Sequence, residues 1–134
     1  MVATATQQIL ADGPRNLVVK YTIAGTTGDT AAGILVNVSG FTDADGTALG
    51  ANALTLMKAT WGLTGFSCAL LWDATANVNL LEMPTESADS QDFSKFGGIK
   101  DNSGTGSTGD VLFTTTGYTA SGDGGHIYLW FKKT

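Results

Sequence analysis

Hydrophobic and polar positions alternate with a period of two along most of the chain. In residues 16–24, every second position from Leu17 to Ile23 is apolar or aromatic. Successive side chains of a β-strand point to opposite faces, whereas helical residues repeat every three to four positions. The alternation therefore predicts eight strands, over residues 3–11, 16–24, 33–39, 53–61, 66–72, 78–83, 111–116 and 126–133.

Turn residues separate these segments. Asp12–Pro14 combines a proline, which lacks a backbone donor, with a glycine that tolerates unusual dihedral angles, and it predicts a tight turn. Gly62–Gly65 has the length and glycine content of a hairpin loop, and Gly117–Gly125 is expected to join the last two strands as a hairpin. Residues 66–72 are apolar on nearly both faces, which predicts a central, buried strand.

The alternation breaks in the segment 84–110. Its first part is acidic without a basic residue, and residues 101–110 are rich in Gly, Ser, Thr and Asn. Between them, Phe93 and Phe96 either pack their rings onto the domain or belong to a short helix or an additional strand. Long loops without structure of their own are uncommon and are often functional.

Regularly spaced strands without an internal repeat predict an all-β fold. We expect an antiparallel β-sandwich or jelly roll of about eight strands, with a long loop before the last two. The length of 134 residues suits a single domain over 1–134, and the 43% hydrophobic content is enough to form a core without disulfides or metals.

The charge of the chain is low and acidic. Charged residues make up 14% of the sequence, below the roughly 25% of an average soluble domain, and the net charge is −5. Nucleic-acid binding requires clustered Lys and Arg, and here only Lys132 and Lys133 are adjacent. A surface with few long charged side chains loses little side-chain entropy on contact with a partner. A β protein with many turns would have a similar composition.

Candidate catalytic residues are few. His126 is the single histidine and is expected at the mouth of the last hairpin, and no serine has the glycine pattern of a nucleophile elbow. The acids lie mostly in predicted turns, with Glu82 as a partial exception, so a pair of carboxylates for glycoside hydrolysis is not evident. Cys68 lies in an apolar segment and is predicted to be buried and unreactive. We predict no enzyme activity and no cofactor.

Two glycine-containing segments resemble ligand-binding loops only in part. Asp43–Gly46 begins like a calcium loop but lacks its third acid and its closing glutamate. Gly104–Gly109 is glycine-rich but lacks the lysine and the strand-to-helix context of a phosphate-binding loop. We expect a plain turn and a flexible loop, and no metal.

The aromatic residues suggest a binding surface. Trp72 ends the predicted buried strand and is assigned to the core, whereas Trp61 and Trp130 remain ambiguous. Tyr128 and Trp130 share one strand face with His126, which is expected to be the more hydrated face. Exposed aromatics there would serve as a protein contact or as a platform for a sugar.

The first residues lack the basic and apolar segments of a secretory leader, and the sequence contains no run of about 18 apolar residues. We therefore expect synthesis and folding in a host cytoplasm and no contact with a membrane.

Several stretches together resemble a family of small virion structural proteins of tailed bacteriophages. The likeness runs from about residue 7 to 133, and its order and spacing are more specific than any single motif. It is carried by Asp12–Asn16 with Val18–Lys20, Leu70–Thr75, Asp92–Phe93 with Phe96–Gly98, Gly109–Thr115 and the last strand up to Lys133.

The resemblance implies a non-catalytic virion component, by analogy a capsid decoration (cement) protein on the outer surface of the shell. The expected partners are the major capsid protein and copies of itself, in a homo-oligomer on the particle. Alternatives are a tail or neck component, or a carbohydrate-binding module. The candidate contact residues are Tyr128, Trp130, Phe93 and Phe96, and the loops 25–30, 40–52 and 101–108 are further contact candidates.

Overall fold

The computed structural model describes residues 2–133 and contains ten β-strands with two short 3-10 helices between them. The strands are β1 (Thr4–Asp12), β2 (Asn16–Ala24), β3 (Gly33–Val36), β4 (Leu54–Thr64), β5 (Ser67–Trp72), β6 (Val78–Met83), β7 (Ala88–Asp92), β8 (Ile99–Lys100), β9 (Val111–Thr116) and β10 (Gly124–Lys133). The 3-10 helices span Val38–Gly40 and Ser94–Phe96.

The strands form two antiparallel sheets. The larger sheet has the order β1-β2-β10-β4-β7, and β8 also pairs with β4. The smaller sheet has the order β3-β9-β5-β6. The predicted all-β antiparallel sandwich is therefore confirmed, and so is the central position of β5, which lies between β9 and β6.

The core fills the space between the two sheets. Alternate residues of β2, β4 and β10 point inward from the larger sheet and meet inward residues of β5, β6 and β9 in one hydrophobic cluster. The period-two pattern of the sequence reflects this arrangement, since one face of each strand is buried and the other faces solvent. Among the largest fully buried side chains are Trp72, Tyr21, Tyr118, Phe66 and Met83.

Two predicted strand ends are wrong. The third strand ends at Val36 instead of residue 39, because Asn37 accepts a hydrogen bond from the Ser39 N–H and starts the 3-10 helix. The predicted hairpin loop Gly62–Gly65 is mostly strand, since β4 continues to Thr64. Gly62 pairs with His126 on one side and Ala88 on the other, and Leu63 is buried in the core.

The last two strands do not form the predicted hairpin, because β9 belongs to the smaller sheet and β10 to the larger. Buried Tyr118 anchors the connection between them. Its ring contacts Phe66 edge-on, with centroids 5.0 Å apart, and its hydroxyl donates to the Asp123 carbonyl at 2.6 Å. The Asp123 carboxylate accepts the Thr119 N–H at 2.9 Å, so the connection is an ordered arch between the sheets.

The segment 84–110 is more ordered than the predicted long loop. It contains β7, the 3-10 helix Ser94–Phe96 and β8, all placed along β4. Gly98 lies so close to β4 that a Cβ atom would meet the Leu56 carbonyl oxygen at 2.9 Å, which explains why glycine is needed there. The stretch after β8 folds around the Asp101 carboxylate, which accepts hydrogen bonds from the hydroxyls of Ser103 and Ser107.

In residues 2–133 no helix is long and apolar enough to cross a membrane. Cys68 is buried at 2% exposure, as predicted, and burial raises the pKa of its thiol to about 12. The thiolate, which is the reactive form, is therefore disfavoured.

Candidate functional site

The solvent-facing side of the larger sheet carries the candidate site. We call it the outer face and define it by the alternate residues that point away from the core on β2, β10, β4 and β7. Because directly paired residues point to the same side of a sheet, the pairing places these residues in rows across the strands. The rows are Thr22–His126–Gly62–Ala88, Lys20–Tyr128–Thr60–Ser90 and Val18–Trp130–Lys58–Asp92.

Three aromatic side chains run along β10 at the centre of this face. The rings of His126 and Tyr128 meet edge-on with centroids 5.5 Å apart, and the rings of Tyr128 and Trp130 are stacked at 6.3 Å with 28° between their planes. His126 is exposed, and Tyr128 and Trp130 are half-buried. The row is therefore a continuous aromatic surface on a strand held by neighbours on both sides.

Two lysines lie over these rings. The Lys20 ammonium on β2 is 5.6 Å from the centre of the Tyr128 ring, and the Lys58 ammonium on β4 is 5.0 Å from the centre of the Trp130 ring. Cations at such distances are attracted by the negative face of an aromatic ring. We call Lys20, Tyr128, Trp130 and Lys58 the aromatic–lysine strip.

The strip is locally basic on an acidic protein. Lys20, Lys58 and Lys132 all project from the outer face, and the chain as a whole has a net charge of −5. Asp92 on β7 is paired with Lys58 and is the last residue of that row. Its carboxylate accepts hydrogen bonds from Ser94, which is the main reason that its pKa is lowered, and Lys58 contributes to the shift. Asp92 therefore stays charged beside the strip.

A shallow depression adjoins the His126 end of the aromatic row. Its volume is about 600 Å³, and polar groups line much of it, among them Lys20, Thr22, Glu86, Ser87 and His126. Ser87 also stabilises one side of the depression. The Ser87 hydroxyl donates to the Pro84 carbonyl and accepts the indole N–H of buried Trp61. The depression is an extension of the outer face rather than an enclosed cavity.

Phe93 and Phe96 form a separate aromatic pair at the β7 side of the sheet. Their ring centroids are 6.1 Å apart. Phe93 is partly buried and packs against the core, while Phe96 is 69% exposed at the end of its 3-10 helix. The Phe93 N–H donates to the Met57 carbonyl of β4 at 2.8 Å, so the pair lies along the far side of β4 from β10. The structure thus brings Tyr128 and Trp130 together and leaves Phe93 and Phe96 outside their row.

Sequence reasoning missed the two lysines of the strip. Alternation with the buried residues of β2 indicates an outward position for Lys20, but it groups Lys58 with Leu54 and Leu56, which are buried. The register shift between β10 and β4 at Trp130 and Phe131 places Lys58 on the outer face, and both lysines are half-buried. Alternation also does not indicate that β2 and β4 both flank β10, and only that strand order places the ammonium groups over Tyr128 and Trp130.

The structure places the other candidates in ordinary surroundings. His126 is not at a hairpin mouth as expected, since it lies inside β10 and pairs with Thr22 and Gly62. Glu82 accepts a hydrogen bond from the Asn79 amide. Trp61 and Trp72 are both buried, at 3% and 1% exposure.

Asp43–Gly46 is a turn in which the Asp43 carboxylate accepts the N–H groups of Asp45 and Thr47. In the part of the chain that the structure describes, no three His, Cys, Asp or Glu side chains are grouped so that they could hold a metal ion.

Comparisons with known proteins add little. No family model matches the chain, and no curated protein matches it. Among solved structures, it is similar to a cupin domain from Bordetella pertussis Tohama I, with a TM-score of 0.38 and 9% identity over 100% of this chain and 97% of that chain. A likeness this distant carries no argument about ligand or activity, and the resemblance to phage virion proteins stays a prediction.

Proposed function

We propose that this chain is a structural protein of a phage virion, a decoration protein that binds the outside of the capsid shell and stabilises it without catalysing a reaction. Its partners are the major capsid protein and copies of itself. The observation that supports this function best is the aromatic–lysine strip on a rigid sheet. The sequence resemblance supports the assignment to a virion.

The strip has the properties of a protein-contact site. Tyrosine and tryptophan contribute much of the binding energy in interfaces because they bury a large area and lose few rotamers. Lys20 and Lys58 already lie against Tyr128 and Trp130, so they lose less freedom on binding than free lysines would. A basic strip on an acidic protein also orients the molecule on its partner. An acidic partner surface attracts the strip and repels the remaining, acidic surface of the molecule.

Weak contacts are sufficient for this function. A shell offers many copies of the same site, and a self-associating decoration protein binds several of them at once. The second contact is then intramolecular, so its effective concentration is high and the overall affinity exceeds that of a single contact.

Removal of the protein tests the function itself. Shells from particles that lack the gene should release their DNA at a lower temperature than complete particles, and adding the purified chain should restore the release temperature. Dye-accessible DNA during heating measures the release. Equal release temperatures with and without the protein would contradict a stabilising role.

Variants of the strip test the site. Trp130→Ala should weaken binding to the depleted shells by about 30-fold, the effect of losing an interface hot spot. Lys58→Ala should weaken it less and reduce its salt dependence. Ile34→Ala is the matched control, because Ile34 is 60% exposed but belongs to the smaller sheet. Equal affinities of Trp130→Ala and Ile34→Ala would exclude the strip as the contact.

A tail or neck position is distinguished by copy number, since a shell protein covers the head whereas a neck protein forms a single ring. Mass-spectrometric counting in purified particles separates the two.

Carbohydrate binding is a second candidate, because stacked Tyr128 and Trp130 lie near a depression that is lined in part by polar groups. The lysines over the rings weigh against it, since they compete with a sugar for the ring faces. Trp130 is more exposed than Trp61 or Trp72, so a bound sugar should change its fluorescence. Titration with host-surface polysaccharide measures this change, and a flat titration removes the candidate.

A further inference from the structure

β1 leaves one long edge of the larger sheet open. Among the strands of residues 2–133, β1 pairs with β2 alone, and eight of its nine residues are exposed. An open strand edge presents a row of N–H and C=O groups that can pair with another strand, so natural proteins usually protect it with charges, proline, bulges or short length. From Thr4 to Ala11 β1 contains no charge and no proline, and its bulge at Leu10 lies near its end.

The core-facing side of β1 is also uncovered. Ala5 packs against the core, but Ile9 on the same side is 52% exposed, and Leu10 at the bulge next to it is 46% exposed. They are among the few large hydrophobic side chains that the structure leaves in solvent. A strand added beside β1 would pair its backbone and cover part of this apolar surface.

We propose that β1 pairs with β1 of a second copy of this chain, antiparallel and across a twofold axis, so that the two larger sheets become one continuous sheet. This pairing deepens the proposed function, because it names the surface through which copies associate. It uses the edge of the sheet and leaves the aromatic–lysine strip on the outer face free.

The register follows from the faces of β1. Directly opposed residues of an antiparallel pair lie on the same face of the sheet. A twofold axis between the two copies of β1 must therefore lie midway between one residue in the regular part of the strand and the same residue of the other copy. Centring it on Gln7 places Ala5 opposite Ile9 of the partner copy and Thr6 opposite Gln8 of the partner copy. On the core-facing side the two Gln7 side chains then lie opposite each other, flanked on each side by a contact between a small and a large apolar residue, and on the hydrated side two polar residues face each other.

The absence of charge along β1 suits a second copy as the occupant. Two molecules with a net charge of −5 repel each other, and the least unfavourable approach is through a surface without charge. β1 is such a surface up to Asp12, whose carboxylate is already paired with the Lys133 ammonium at 2.5 Å. An acidic or basic peptide would gain no charge complementarity from this edge.

Sedimentation equilibrium of the whole chain tests the pairing, from about 1 μM to about 1 mM, the range of weak protein contacts. We expect a monomer–dimer equilibrium. The double variant Thr6→Lys/Gln8→Lys places like charges directly opposite each other twice in the dimer and should weaken it at least about tenfold. Both positions are exposed on the outer side of β1, where Gln8→Lys also adds a charge opposite Lys20 of the same molecule; an exposed pair costs little, so the fold should persist, which circular dichroism and urea denaturation check.

The matched control is Ala88→Lys/Gln91→Lys, which adds the same charge to exposed positions of β7 at the opposite edge. It should leave the dimerisation constant unchanged. A chain that is monomeric over the whole range overturns the pairing, and so does a dimer that responds equally to both double variants.

Cross-linking tests the register. In the proposed dimer the two Gln7 positions lie directly opposite each other, within the Cα separation of a disulfide, whereas the two Gln8 positions are diagonal neighbours about 7–8 Å apart. Gln7→Cys should therefore form a disulfide-linked dimer under mild oxidation and Gln8→Cys should not, with buried Cys68 silent in both. Equal cross-linking of both variants overturns the Gln7-centred pairing.

None of these measurements uses shells. Loss of self-association would leave each single contact with the shell intact and remove only the gain from multiple contacts, and failure of shell binding would leave the dimer intact, so the two proposals fail separately.

Discussion

The two edges of the larger sheet differ in how they are protected. β7 is five residues long and carries Asp89 and Asp92, and the chain continues from it into a 3-10 helix that lies along β4. β1 is nine residues long and uncharged from Thr4 to Ala11. Both strands are almost fully exposed, so the difference lies in length and charge and not in burial.

This difference shows that strand exposure alone does not define an interaction surface. Charged side chains on a short edge must be stripped of water or placed against like charges when a second strand pairs there, which disfavours pairing at β7. At β1 no such cost arises. One sheet thus has one edge that discourages strand addition and one that permits it.

The largest expected effect comes from the residue that holds the end of β1. The Lys133 ammonium is almost completely buried and donates to the Asp12 carboxylate, the Gly13 carbonyl and the Thr42 carbonyl. Lys133→Met should lower the free energy of unfolding by about 2–3 kcal/mol, since it leaves these oxygens without their donor. Urea denaturation measures the loss.

Lys132→Met is the control, because Lys132 is exposed on the outer face and should change stability by no more than about 0.5 kcal/mol. Hydrogen exchange should also accelerate more in β1 than in β7 for Lys133→Met. Equal acceleration at both edges would mean that Lys133 does not act on β1 specifically.

A smaller effect is expected from acid. Asp29 stabilises the loop that packs beside the start of β1. In this loop the carbonyl of the preceding residue, Gly28, accepts a hydrogen bond from the Ala3 N–H. The pKa of Asp29 is lowered, chiefly because its carboxylate accepts the Tyr118 N–H, with the Gly117 N–H and the Thr115 hydroxyl as further donors. The ionised form is therefore favoured in the folded protein.

The stability that Asp29 provides is present above the pKa of an unfolded aspartate, about 3.9, and is lost as the pH falls through the lower folded value. Because the group is exposed and screened, we expect less than about 1 kcal/mol. Asp29→Asn should flatten the decline of stability below pH 4, measured by urea denaturation at several pH values. An unchanged decline would exclude Asp29 as its source.

The smallest expected effect concerns β7. The double variant Asp89→Asn/Asp92→Asn removes the charges of this edge, and the amide oxygen introduced by Asp92→Asn still accepts the Ser94 N–H. The variant should self-associate a few-fold more strongly than the original chain. Association through β7 should remain weaker than association through β1, because β7 is the shorter strand. Light scattering at high concentration measures this. A variant that associates no more than the original would show that charge is not what protects β7.

Some of this structure was predictable from the sequence and some was not. Period-two alternation predicted the all-β class, and the apolar segment around Cys68 and Trp72 predicted their burial, because both follow from local pattern. The arch at Tyr118 was misread as a hairpin, since turn residues look alike whether the next strand joins the same sheet or the other.

The candidate site was half predictable. Tyr128 and Trp130 share a strand face that the alternation indicates directly. Their neighbours Lys20 and Lys58 come from strands distant in the sequence, and alternation does not specify strand order. The open edge of β1 has the same origin, because a strand is an edge only through its position in the sheet.

The position of β10 has a consequence for synthesis. β10 is the last of the ten strands to be made, yet it lies between β2 and β4 at the centre of the larger sheet. The ribosome therefore releases a β1–β2 hairpin and β4 long before the strand that joins them exists. Closing such distant pairings is slow, and until it happens the apolar faces of β2 and β4 stay uncovered. This domain therefore completes its larger sheet only after β10 has left the ribosome, and it is most exposed to aggregation just before then.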